Sequence, residues 1–401
     1  MRYLRAVSAS APRPALFTAA YARVLALHTC YGISLATFLL FPKYVVTQLG
    51  ASPTEVGNAM AIFGVANVLT VPLVGIGVDR FGRRTFILMG LFAMGVSALG
   101  FVFIDEMGPT LYLLRALQGS SFAFVWLSSA TLVTDSAPPE RLGQGLALLG
   151  ATMHGTNAVV PMVVELASEK VGWNPVFITS AVAAAVAAAI ALGVRSSPRD
   201  DPASPPSRLL SMLRRGPVQR IMLVSLCAGT VLATLTTFIQ PYALERGIVR
   251  VGGFFLAFSI TVMIVRVVLG AWMDRVNRWV VCTSAMAIYA ALLLLAPRIS
   301  VSTLPLLGCL FGLVHGFFIP TFNAMSLVGA PALERGRILA LLSGGFNIGH
   351  AFSSFAFGAL AATAGYGSTF TAAAWFAIMG TVLLLAFRGA ARWSSASGAD
   401  D

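Results

Sequence analysis

The spacing of its apolar runs limits this chain more than anything else. Long stretches low in charge, bounded by Gly, Pro or charged residues, recur over 17–44, 55–78, 85–104, 109–135, 142–166, 174–195, 217–243, 251–273, 279–297, 302–328, 337–363 and 368–388. A helix of about 20 apolar residues spans the hydrocarbon core of a bilayer. A soluble fold has nowhere to bury twelve of them. Only 10% of the residues are charged, against about 25% in soluble domains. Ten-residue strands with alternating polarity are absent, which excludes an outer-membrane barrel. The predicted class is an all-α membrane protein with twelve transmembrane helices.

The formal net charge of +12 would suggest a nucleic-acid partner in a soluble protein. Here nearly all basic residues fall at the ends of apolar runs, where they report topology, so no nucleic acid is expected. With a cytoplasmic N-terminus, the segments on that side carry nineteen basic residues: Arg2, Arg5, Arg13, Arg80, Arg83, Arg84, Arg141, Arg195, Arg199, Arg208, Arg214, Arg215, Arg220, Arg275, Arg278, Arg335, Arg337, Arg388 and Arg392. The other side carries five: Lys43, Lys170, Arg246, Arg250 and Arg298. The bias predicts a multi-pass protein of the cell inner membrane with both termini cytoplasmic. The basic N-terminus lacks a short apolar core with a cleavage site, so no cleaved leader is expected.

The Ser-, Pro- and Arg-rich stretch before Pro217 reads as a linker. It divides the chain into 1–195, a cytoplasmic linker 196–216, and 217–401. The halves resemble each other. Val56-Gly57 through Arg80 aligns without a gap on Val251-Gly252 through Arg275, with Phe63 on Phe258. Gly119 falls on Gly312, and Ala137-Pro138 on Ala330-Pro331. Two pseudo-symmetric six-helix bundles are predicted, with a substrate site at their interface near the midplane. The turn after the second run, Gly75-Ile-Gly-Val-Asp79-Arg80-Phe-Gly82-Arg83-Arg84, has a thinner copy at Gly270, Asp274 and Arg275.

That turn, its copy and Arg115-x-x-Gln118-Gly119 in the fourth run together resemble the major facilitator superfamily of secondary transporters, over the whole chain. The fourth-run signature is most similar to its twelve-helix, proton-linked exporter branch. The resemblance implies alternating access, with helices 1, 4, 7 and 10 lining the cavity and 3, 6, 9 and 12 facing lipid. Asp79 would meet the start of helix 11 near Arg337, and Arg80 or Arg83 would pair with Asp135. The sequence departs from the branch in two places. Val160-Pro161-Met162-Val163-Val164-Glu165 stands where exporters carry Gly-Pro-x-x-Gly-Gly, and residues 17–44 contain no Asp or Glu.

An ionisable group in mid-membrane costs about 2.5–3.5 kcal/mol on insertion scales, so each invites a functional reading. His28, His154, His315 and His350 fall inside predicted helices, as do Arg115 and Arg266. Histidine titrates near neutral pH and is suited to proton exchange; a hydrogen bond between helices is the structural alternative. Arg115 with Gln118 is the expected ligand or coupling pair, joined by the amides Asn323 and Asn347. Arg266 is expected to be structural or gating. The gating set is Gly75, Asp79, Arg80, Gly82, Arg83, Asp135, Arg266, Gly270, Asp274 and Arg275. No metal, cofactor or nucleotide motif is present. The expected partners are a small-molecule substrate, protons and the bilayer, with the chain acting as a monomer. Efflux of a small amphipathic molecule is the leading expectation; uptake of a sugar, organic acid or other metabolite is the alternative.

Overall fold

The computed structural model describes residues 17–136, 138, 141–194, 212–269, 276–331 and 334–386, with the backbone alone at 76, 79, 80 and 136. The described residues form α1 (Ala19–Leu49), α2 (Pro53–Phe81), α3 (Arg83–Gly100), α4 (Pro109–Ser136), α5 (Leu142–Val171), α6 (Trp173–Leu192), α7 (Gly216–Glu245), α8 (Gly252–Val268), α9 (Arg278–Leu295), α10 (Thr303–Ser326), α11 (Arg335–Ala364) and α12 (Tyr366–Ala386). Eleven are long and apolar enough to cross a membrane, and α8 is a shorter apolar helix.

Local chemistry sets the boundaries. Ser52 caps α2 in a reciprocal box: its hydroxyl accepts from the Glu55 amide, while the Glu55 carboxylate accepts from the Ser52 amide at 2.8 Å. The polar turn expected over Gly75–Arg84 is much tighter than the sequence suggests. The α2 backbone stays helical through Asp79 and Arg80, and the chain reverses at Gly82 alone, at φ +81°. That left-handed value suits glycine. Asp79 and Arg80 therefore stand on the last turn of α2 rather than in a loop, and their side chains lie outside the described residues, as do Gly270, Asp274 and Arg275. The linker over 196–216 also falls largely outside them.

Helix α1 runs past its predicted end at residue 44. A 3-10 turn, Phe38–Leu40, interrupts it, and the helix resumes with Pro42 in its first turn. The Gln240 carboxamide of α7 enters this break. Its Nε2 donates to the Leu39 carbonyl at 2.7 Å, and its Oε1 accepts from the Lys43 amide at 3.3 Å. Leu39 and Lys43 are four residues apart, so one side chain replaces one missing helical hydrogen bond.

Helices α1–α6 pack among themselves, as do α7–α12, and the main contacts between the groups are α2 with α11 and α5 with α8. Internal symmetry extends to atoms. A Cβ at Gly119 would collide with the Phe63 carbonyl oxygen, and a Cβ at Gly312 with that of Phe258. The Phe122 ring packs 6.2 Å from Phe63, and the His315 ring 5.5 Å from Phe258. Helices α3 and α12 turn large apolar side chains outward, Phe92 at 74% and Trp375 at 65% exposure, as lipid-facing helices do.

The two groups meet at one end and part at the other. Near the start of α2, a Cβ on Gly57 would lie 2.8 Å from Gly358 Cα of α11. About two turns on, Gly64 faces Ala351. At the far end, a Cβ on Gly75 of α2 or Gly344 of α11 would meet nothing within 4 Å among the described residues. The sealed end is the one that the charge bias predicts to be outside.

Candidate functional site

Between the two groups lies a cavity of about 370 Å³, within the range of small-molecule sites. It is lined from α1, α2, α4, α5, α7, α8, α10 and α11, and by nothing from α3, α6, α9 or α12. The resemblance implied lining from helices 1, 4, 7 and 10; α2, α5, α8 and α11 contribute as well. They do so because these four form the contact between the groups and close the cavity's sides.

Arg115 lies six residues into α4, about 9 Å from its start, and is 3% exposed. Its Nη1 donates to Gln118 Oε1 at 2.5 Å, its Nε to the Ala59 carbonyl at 3.3 Å, and its Nη2 to Met60 Sδ at 3.3 Å. The guanidinium carbon stands 4.3 Å from the Phe41 ring centre and 4.9 Å from that of Phe63. These aromatic faces stabilise a desolvated cation. Gln118 lies one helical turn on, fully buried behind Arg115, and positions it rather than lining the cavity.

Of the four histidines, His154, His315 and His350 line the cavity. His315 Nδ1 is 3.0 Å from the Tyr289 hydroxyl, and His154 Nδ1 is buried with no partner among the described residues. His28 lies outside the lining, behind Trp126 at a ring separation of 5.5 Å, with Nδ1 2.8 Å from Thr152 Oγ1. Asn347 lines the cavity, whereas Asn323 is half-buried and outside the lining. Arg266 lies outside it too; its Nε is buried without a hydrogen-bond partner among the described residues. On the open side, Arg83 Nε is 2.9 Å from Asp135 Oδ2, one of the two pairings the resemblance offered.

The sealed end holds a group of residues that sequence reasoning did not bring together. Lys43 Nζ donates to Glu165 Oε1 and to the Val249 carbonyl at 2.6 and 2.7 Å. Glu165 also accepts the Val251 and Gly252 amides, each at 2.8 Å. These amides open α8, where a helix N-terminus favours an anion. Beside this clasp, Arg250 donates to Glu169 at 3.0 Å, which holds the Arg250 guanidinium above its ordinary value. Lys43 is distant in sequence from its partners, and its one visible signal was being a cation on the charge-poor side. Asn67, Asn157 and Ser259 also line the cavity; polar residues scattered singly on apolar helices gave no signal of this.

Two groups of membrane-length helices around a cavity, closed at one end and parted at the other, define a membrane transporter. The Major Facilitator Superfamily model matches residues 24–332 and, separately, 251–399. The chain belongs to this superfamily and is a transporter, not an enzyme. It is 28% identical over 142 residues to multidrug resistance protein 1 of Bacillus subtilis, covering 35% of this chain and 36% of that protein. It is 27% identical to the multidrug export protein EmrB of Haemophilus influenzae, over 36% of this chain and 30% of that protein. These matches span about a third of each relative. A longer match is 23% identical to the multi-drug resistance efflux pump PmrA of Streptococcus pneumoniae serotype 4, over 85% of this chain and 89% of that pump. Among solved structures, the nucleoside transporter NupG superposes with a TM-score of 0.78 at 10% identity, over 92% of this chain and 100% of that one. A POT family transporter does so with a TM-score of 0.76 at 12% identity, over 92% and 95%. These likenesses speak for the fold alone.

Proposed function

We propose that the chain exports a small amphipathic organic molecule by alternating access, driven by protons, as a monomer in the cytoplasmic membrane with both termini inside. Residues 1–195 and 217–401 are the two rocking units, joined by the linker 196–216. The observation that carries this reading is the cavity between the units. Its wall is chiefly aromatic and aliphatic, with a few polar side chains, as suits an amphipathic solute. The names of PmrA and of the two relatives matched over shorter stretches favour export over uptake.

Arg115, Gln118, Asn347 and the histidines form the substrate and coupling set, with Asn323 as an outlying member. Gly75, Asp79, Arg80, Gly82, Arg266, Gly270, Asp274 and Arg275 govern the open side, and Arg83 with Asp135, also in the expected gating set, braces α3 against α4 within one unit. The clasp at Lys43 and Glu165 governs the sealed side. Closing the first and releasing the second exchanges access to the cavity.

The test is flux of a dye and metabolite panel in proteoliposomes, with and without an imposed pH gradient. Export that rises with an inward proton gradient supports the proposal. Replacing His28, His154, His315 and His350 by Gln should remove the gradient response. A full response in that variant transfers coupling to a carboxylate.

A further inference from the structure

We infer that the transported molecule is an amphipathic organic anion, a carboxylate above all, whose charged group docks on Arg115. This rests on the transporter reading above and narrows its substrate class.

Among the described residues lining the cavity, Arg115 is the one permanent charge and no Asp or Glu is present. Three of the other lining residues are histidines, which add positive charge or none. The one carboxylate buried among the described residues, Glu165, is committed to Lys43 and two amides. Among the described residues no carboxylate pairs with Arg115: its polar partners are an amide oxygen, a backbone carbonyl and a thioether. Arg266, whose Nε is buried, likewise has no acidic partner among the described residues.

A buried cation without a counter-charge is costly, and an incoming anion relieves that cost. Guanidinium has five N–H donors. Nε, one Nη1 hydrogen and one Nη2 hydrogen account for three. One hydrogen remains on each terminal nitrogen, available to donate to an incoming carboxylate. Around it, Phe38, Phe63, Phe122, Trp126, Phe258 and Phe346 supply an apolar wall for the rest of the molecule. An organic cation meets the opposite arrangement: one fixed positive charge and no acid to receive it.

The experiment uses three probes with one ring system: 1-naphthylacetate, 1-naphthylacetamide and 1-naphthylmethylammonium. Binding to the purified full-length protein is measured by calorimetry, and flux in proteoliposomes. The expected order is acetate over amide by about tenfold or more, and amide over ammonium. Arg115→Gln should erase the acetate preference and Arg115→Lys should retain part of it. Asn347→Asp, which adds an acid to the wall, should move the preference toward ammonium. This gain keeps the idea testable if Arg115→Gln does not fold. Equal or tighter binding of the amide or ammonium to the wild-type protein overturns the assignment. So does an acetate preference that survives Arg115→Gln. If acetate binds selectively and no probe is moved, the exporter reading fails and the anion assignment stands. If ammonium is moved in preference to acetate, the exporter reading stands and the anion assignment fails.

Discussion

Lys43 Nζ stands 2.6 Å from Glu165 Oε1, with the two side chains 7% and 4% exposed. Both belong to the α1–α6 group, and together they hold the α7–α8 segment of the other. A buried ion pair by itself is weak support for a structure, because desolvation offsets the attraction. Here the remaining valences are also filled, by the Val249 carbonyl and the first amides of α8.

Removing one partner leaves the other buried without its counter-charge, at about 3–5 kcal/mol. Glu165→Gln and Lys43→Met should therefore each favour opening of the sealed end. The measurement is labelling of a Thr236→Cys variant, in a background lacking the native cysteines, by an impermeant maleimide added from the sealed side. Thr236 lines the cavity, so labelling reports passage through the seal. An increase of at least about tenfold is expected from an energy of this size. Unchanged labelling in both variants would remove the clasp from the gating mechanism.

The neighbouring pair makes the contrast. Arg250 and Glu169 are joined at 3.0 Å, but Arg250 is 69% exposed. Exposed ion pairs contribute little, and salt screens them. Arg250→Ala should change the same labelling by less than about twofold. A change as large as that of Glu165→Gln would mean that rim charge, not the buried clasp, closes this end.

Gln240 offers a third test of the seal. Its amide satisfies both Leu39 and Lys43 across the break in α1. Gln240→Leu keeps the bulk and strands one donor and one acceptor in a fully buried site, at about 1–3 kcal/mol for each unsatisfied group. Gln240→Glu replaces the Nε2 donor with an oxygen facing the Leu39 carbonyl. Both should lower the thermal midpoint, and both should loosen the seal in the labelling assay. A midpoint equal to wild type in both variants would show that α1 reforms its own hydrogen bond.

The close approaches at Gly119 and Gly312 affect stability rather than access. Each admits a backbone carbonyl of α2 or α8 where a side chain would stand. Gly119→Ala and Gly312→Ala should each cost about 1–3 kcal/mol through overpacking, read as a lower thermal midpoint. The symmetry predicts similar losses at the two sites. A loss at one with none at the other would show that the repeat has relaxed in that half.

The parts legible in the sequence were those encoded by local spacing. Apolar runs located the helices, and the alignment of Phe63 on Phe258 and Gly119 on Gly312 anticipated contacts that recur in both halves. The parts that were not legible depend on pairs remote in sequence. Lys43 reads alone as a topology signal, and Glu165 as an acid near a helix end; their meeting, 122 residues apart, is a product of packing. The extension of α1 to Leu49 was hidden because the apolar run ends at residue 44, while the resumed helix, with Pro42 in a permitted first-turn position, carries on through more polar residues. Gly82 alone makes the turn that a ten-residue polar motif suggested. Arg115 was singled out by resemblance, but the absence of any acid from the cavity wall emerges only once eight helices are assembled.

The open side supplies the last prediction. Arg83 is nearly buried and lies 2.9 Å from Asp135, whose side chain is 26% exposed. The pair joins the start of α3 to the last turn of α4 within one group, so it is present while the two groups are parted at this end. It therefore braces one unit and is not a bond that must break for this end to open. Arg83→Asp and Asp135→Arg should each destabilise the protein, and the double exchange should recover most of the loss, with a coupling of about 1–3 kcal/mol. A brace within one unit leaves the access equilibrium alone, so labelling at Thr236 from the sealed side should not follow the stability changes. Labelling that moves with each single exchange and returns in the double would make the pair part of the gate instead.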